Sequence, residues 1–191
     1  MTEEKQARKE LFEWVRTLIC TILALLFVFT FVVRLVWVDG SSMRETLQHK
    51  DLLLAADDWL CGDYERGDIV ILAKPEFDGG APIVKRVIAV ENQTVDIDFY
   101  EGIVYVDGEP LDEPYTREPT YLDEGVSFPV TVPEGHVFVL GDNRNYSTDS
   151  RHPDLGCVDT RRIIGRAMLL LFPGKNASTE VRQWNRIGTL N

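Results

Sequence analysis

Three short segments of this 191-residue chain carry side chains suited to covalent chemistry. Gly40-Ser41-Ser42-Met43-Arg44-Glu45-Thr46-Leu47 sets serines directly behind a glycine. A serine on a tight turn can expose its hydroxyl and leave neighbouring backbone N–H groups free to receive an oxyanion. The same residues also suit a plain linker, because Gly and Ser dominate loops. Ile83-Val84-Lys85-Arg86-Val87-Ile88 reads as a strand in which Lys85 shares one face with Ile83 and Val87, and Arg86 the other with Val84 and Ile88. One of the two cations then points at a core, unless the strand lies at an edge with its charges solvated. A buried arginine keeps its proton. Burial instead lowers a lysine pKa from about 10.4, and a neutral amine is a competent general base for a serine hydroxyl. The third segment, Gly141-Asp-Asn-Arg-Asn-Tyr-Ser-Thr-Asp-Ser-Arg151, holds no aliphatic side chain. That density of donors and acceptors suits a network that orients something else. If the segment is extended, Ser147, Asp149 and Arg151 share one side.

Other chemistries are excluded by what the chain lacks. His49, His136 and His152 are isolated from one another, which argues against a Ser-His-Asp triad and against a metal set. No metal and no cofactor is expected. The three cysteines contain no CxxC pair, so a zinc ribbon and a dense disulfide scaffold drop out. Spacing alone does not decide whether Cys61 and Cys157 pair. A formal charge of -11 gives no general grip on phosphate backbones, which argues against nucleic acid as a partner.

The elements that must position these residues fall into two unlike parts. Thr17 to Val33 contains no charge; Arg34 interrupts the run and Leu35 to Val38 continues it. About 20 apolar residues cross a bilayer, an arginine near a helix end can snorkel, and Trp14 and Trp37 sit where interfacial aromatics belong. No A-x-A-like cleavage site follows, which favours an uncleaved anchor over a signal peptide. The expected organisation is a cytoplasmic segment over 1–16, a transmembrane anchor over 17–38 and an extracytoplasmic domain over 39–191. Arg8, Lys9 and Arg16 before the span, against Arg34 and Arg44 after it, place the N-terminus inside by a small margin.

Beyond the anchor, short β-branched and aromatic runs are separated by Gly- and Pro-containing turns: residues 68–73, 83–90, 94–97, 103–106, 126–132 and 136–140, with 165–172 as a closing strand. The pattern predicts a mostly β fold, a barrel-like or sandwich domain behind one N-terminal transmembrane helix. Asp112 to Glu124 reads as an exposed acidic loop. Leu52 to Leu54 and Trp59 read as core residues or as membrane-facing ones.

Ser42-Met43 within GSSMRETL, Arg66-Gly-Asp-Ile-Val70, Lys85-Arg-Val-Ile88 and GDNRNYSTDSR, in this order behind one anchor, resemble the type I signal peptidases, and most closely their Gram-positive members. The resemblance implies a membrane-bound serine endopeptidase that removes signal peptides from secreted preproteins, cutting after small residues at -1 and -3. By that analogy Ser42 is the nucleophile and Lys85 the general base of a Ser-Lys dyad. Ser147 hydrogen-bonds the lysine, and Asp149 and Arg151 shape the site. Gly40 stands where some members carry an oxyanion-hole serine, leaving the Ser42 N–H as the main expected donor. Glu45 replaces the usual proline after the nucleophile, and Ala89, Glu91, Asn92 and Gln93 depart from the usual Gly-x-Pro-Gly-Asp. The substrate is expected to lie extended along Ile83, Val84 and Val38. The lipid bilayer of the cytoplasmic membrane and the secretion translocon are the implied neighbours. Two other readings compete: a self-cleaving SOS-type repressor protease, disfavoured by the anchor and the acidity, and a tethered β-domain that only binds.

Overall fold

Residues Thr2–Phe31 form one helix, α1, whose apolar stretch from Gln6 to Phe31 is long enough to cross a membrane and is not covered by the rest of the protein. The structure is a computed structural model and describes residues 2–176 and 178–190. The helix stops seven residues before the expected end of the anchor at Val38. Val33–Trp37 is instead strand β1, paired antiparallel with β2 (Leu52–Asp57) from Val33 opposite Ala56 to Trp37 opposite Leu52. Hydropathy cannot separate an apolar helix end from an apolar strand; the partner strand decides. Arg34, expected to snorkel, sits 2.6 Å from the carboxylate of Asp57.

After β2, a single helical turn, α2 (Asp58–Cys61), leads to β3 (Ile69–Leu72) and β4 (Ile83–Val90). Then follow β5 (Thr94–Asp98), β6 (Ile103–Val106), β7 (Glu109–Pro110), β8 (Val130–Thr131), β9 (His136–Leu140), β10 (Val158–Asp159), β11 (Ile163–Phe172) and β12 (Gly188–Thr189). The fold is mostly β, as expected. The larger, curled sheet runs β1-β2-β11-β3-β4-β9-β10, with β12 against β11; the smaller runs β7-β6-β5-β8. β11, read as a closing strand, lies inside the larger sheet between β2 and β3. Only Val130–Thr131 of the run 126–132 is strand, since Pro129 beside it has no N–H to donate to a ladder.

Burial on both faces of β4 is the feature that matters most for chemistry. Val87 packs with Val70, Leu72, Val137 and Val139 on one side, while Ile88 packs with Phe138, Leu140, Val95 and Val104 on the other. A strand covered on both sides has no solvated face to alternate toward. Consequently both cations are buried, Lys85 at 3% and Arg86 at 1% exposure, where alternation predicted one. A third cluster buries Met43 and Leu47 among Val38, Leu53, Ile69, Ala167 and Leu170. These two side chains, four residues apart on one turn, pin the segment that carries Ser42.

The acidic loop over 112–124 is less exposed than its composition suggests. Thr120 is fully buried, and Glu113 forms an ion pair with Arg144. Leu53 is core, whereas Trp59 is exposed and its indole N–H donates to the carbonyl of Phe31 at the end of α1. Cys61 and Cys157 are free thiols.

Candidate active site

Ser42 lies half-buried on the turn between β1 and β2. The turn is held from one side by the Met43 and Leu47 side chains and from the other by the polar loop. Asn143 donates its backbone N–H to the Ser42 carbonyl at 2.9 Å and its side-chain amide to the Ser41 carbonyl at 3.0 Å. Thr46 donates its hydroxyl to Asp142 at 2.5 Å. Asp142 in turn accepts a two-pronged bond from Arg86 at 2.9 and 2.8 Å, and the Arg86 guanidinium lies 4.0 Å from the centre of the Tyr115 ring. Arg86 is thus the structural cation of the pair, fixing the turn to the sheet.

Lys85 points to the other face. Its Nζ donates to the Ser147 hydroxyl at 3.1 Å, and that hydroxyl donates onward to Asp149 at 2.8 Å. Asp149 also accepts the Gly141 N–H at 3.0 Å and two bonds from Arg151, at 2.8 and 2.9 Å. Ser147, Asp149 and Arg151 are all buried and joined in one network, although the segment turns at 150–151 instead of running extended and Ser150 is buried as well. Burial dominates the Lys85 amine and pushes it down to about 8, against the opposing pull of the Asp149 and Glu124 carboxylates. Glu124, whose carboxylate accepts the Asp149 N–H, is itself held above the usual carboxylate range, chiefly by burial.

Gly141 is where the two halves meet. A Cβ there would fall 2.2 Å from the Ser147 hydroxyl and 2.5 Å from the Ser42 carbonyl, so only glycine lets the Ser42 turn and the lysine's partner approach each other this closely. Among the described residues no hydrogen bond joins the Ser42 hydroxyl to Lys85, and the Ser42 N–H donates to no protein acceptor. Gly141→Ala is therefore expected to lower catalytic efficiency about 100-fold, because displacing reacting groups by about 1 Å costs that much. Steady-state kinetics of the purified variant check it.

The remaining expected residues divide. Ile83 and Val84 face β3 on one side, and the ladder to β9 begins only at Arg86, so among the described residues the other backbone edge over 83–85 is unpaired. Val38 itself has both main-chain groups engaged: its N–H donates to the Asp51 carbonyl and its carbonyl accepts from Lys50, both at 2.8 Å. Both bonds run toward the segment at 50–51, so substrate pairing beside Val38 would use the main-chain groups of its neighbours on the opposite edge. Gly40 adopts φ +100°, is exposed, and gives its N–H to His49 at 3.3 Å. Sequence reading weighs Arg86 only as one of two cations competing for a core, and does not single out Thr46, Asp142, Asn143 or Arg144. The uninterrupted polarity of 141–151 was the only signal for the last three.

Residues 11–172 match the family model described as signal peptidase, peptidase S26. The chain is 36% identical over 183 residues to signal peptidase I of Bacillus licheniformis, covering 91% of this chain and 96% of that one. It is 36% identical over 179 residues to probable signal peptidase I-1 of Synechocystis sp., covering 90% and 84%. With signal peptidase I T of Bacillus subtilis it shares 33% over 194 residues, covering 91% and 96%. A buried lysine, a turn-borne serine and the loop that locks them together thus occur in a chain that belongs to the signal peptidase family of serine peptidases.

Proposed function

We propose that the protein is a membrane-anchored signal peptidase that cleaves preproteins through an acyl-enzyme formed on Ser42, with Lys85 as general base. The observation that carries this reading is the amine of Lys85, buried in the sheet, lowered in pKa, and bonded to a serine that abuts the nucleophile turn. Because Lys85 donates to Ser147, the lone pair of the neutral amine is left for the Ser42 proton. The Ser42 oxygen then attacks the scissile carbonyl carbon, and the Ser42 N–H meets the developing oxyanion. As the C–N bond breaks, the Lys85 ammonium returns its proton to the leaving amine. The neutral amine next takes a proton from water, whose oxygen attacks the acyl carbon, and the ammonium returns that proton to the Ser42 oxygen as the ester bond breaks. A substrate strand can pair with the open edge at 83–85, gaining main-chain bonds. In this reading the residues at -1 and -3 are small, as the resemblance to the type I signal peptidases implies.

The apolar helix α1 supplies the anchor. With enzyme and preprotein confined to one plane, effective concentration rises without added contacts. The head is cytoplasmic and the β-domain extracytoplasmic in this reading. The defining experiment incubates the full-length enzyme in detergent with a signal-peptide-bearing preprotein and reads the cut by mass spectrometry. A single cut after small residues at -1 and -3 is expected; no cut, or scattered cuts, sinks the proposal. A penem that acylates serine is expected to label Ser42, which a mere binding domain would not allow.

The pH dependence follows from the lysine. The protonated amine cannot act as base, so kcat/KM is expected to rise about tenfold per pH unit below a midpoint near 8 and to level above it. At pH 7 only about one enzyme in ten is then in the competent form. A midpoint near the ordinary lysine value would mean a solvated amine.

A further inference from the structure

We infer that the segment beyond Phe172 straps down the nucleophile turn, and that Arg186 is a positioning residue for Ser42; this rests on the reading of Ser42 as nucleophile. The hub is Asp51, fully buried at the exit of the turn. One carboxylate oxygen accepts the Gln48 N–H at 2.7 Å, and the other accepts the Gly174 N–H at 2.6 Å. The Arg186 guanidinium then grips both oxygens, at 2.6 and 3.2 Å, and donates to the Thr46 carbonyl at 2.9 Å. A single side chain from the tail thereby holds two points of the loop that carries Ser42.

Thr46 is consequently clamped at both ends. Its hydroxyl is tied to Asp142, in the loop that locks Lys85, and its carbonyl is tied to Arg186. The strap is itself anchored. Gly188 and Thr189 pair with Leu170 and Leu169 of β11, Leu190 packs on the cluster holding Met43 and Leu47, and Trp184 meets the Phe172 ring edge-on at 5.3 Å. The approach at Gly174 is so close that a Cβ would fall 2.0 Å from the His49 carbonyl. Two-pronged arginine–carboxylate pairs fix angle as well as distance, which an ammonium does not. Loosening the clamp lets the turn drift while leaving Lys85 and its network untouched.

The test uses full-length enzyme in detergent with a preprotein substrate, at a temperature well below each variant's own unfolding midpoint. Arg186→Ala is expected to lower kcat about tenfold or more with KM within twofold, since the loss is in the placement of Ser42. The pH midpoint set by Lys85 stays where it is. Arg186→Lys recovers part of the rate, and Arg161→Ala, an exposed arginine elsewhere, matches the wild type. Wild-type kcat in Arg186→Ala with only a lowered unfolding midpoint would overturn the inference, the tail then serving stability alone. If Arg186→Ala does not fold, Arg186→Lys decides: reduced kcat at an unchanged unfolding midpoint supports positioning, and wild-type kcat overturns it. Retained activity in Ser42→Ala would instead defeat the nucleophile assignment, whatever Arg186 does.

Discussion

Ser42→Ala and Lys85→Ala are each expected to abolish preprotein cleavage, lowering kcat roughly 10⁴-fold or more, while the variants remain folded. Losses of that size are usual when one member of a nucleophile–base unit is removed, because the remaining members cannot act alone. Ser42 is half-buried on a turn whose anchors are Met43, Leu47 and backbone groups, none of which alanine removes. Lys85→Met separates function from stability more sharply. The wild-type amine has its folded pKa lowered, so stability is lost relative to the neutral form as pH falls from about 10.5 to about 8. Methionine fills similar volume without that cost, and the Ser147 hydroxyl keeps Asp149 as partner. Lys85→Met is therefore expected to be inactive yet more stable than wild type at pH 7, by on the order of 2 kcal/mol, with the gain fading as pH rises from about 8 to about 10.5. Cleavage assays paired with thermal unfolding across pH check both halves; a less stable Lys85→Met would mean that the lysine is structural.

Asp149→Ala is the substitution with the largest expected effect on stability. Its carboxylate is fully buried and satisfies Gly141, Ser147 and Arg151 together. Removing it strands the Arg151 guanidinium, itself fully buried, with no carboxylate partner. Breaking a buried pair from one side costs roughly 3–5 kcal/mol, a large share of the roughly 5–15 kcal/mol that holds a domain together. Activity falls with it, since Ser147 loses the acceptor that orients it toward Lys85. Asp159→Ala breaks a more exposed ion pair with Arg161 and a cap on the Arg161 backbone N–H, and is expected to lower stability by much less. Denaturant titrations of the two variants side by side give the comparison. Equal effects would show that burial does not set the worth of these pairs.

Composition and local pattern determined a good deal of this protein. Alternation and turn residues located the strands at 83–90, 94–98, 103–106 and 136–140 closely, because a strand's period and its bounding glycines are local properties. The same local reading identified the serine turn, the lysine and the polar loop, since each is unusual in its own few residues. Contacts between distant segments decided the rest. Val33–Trp37 is a strand only because β2 lies beside it, 20 residues on. Lys85 and Arg86 are both buried only because two packed layers cover β4 from opposite faces, which no period within the strand can signal. Which network each cation joins is likewise decided by partners far away in the chain: Ser147 for Lys85, and Asp142 for Arg86. The clamp of Arg186 on Asp51 spans 135 residues. Pairings of that kind depend on which surfaces meet when the sheet closes, and hydropathy along the chain carries no record of it.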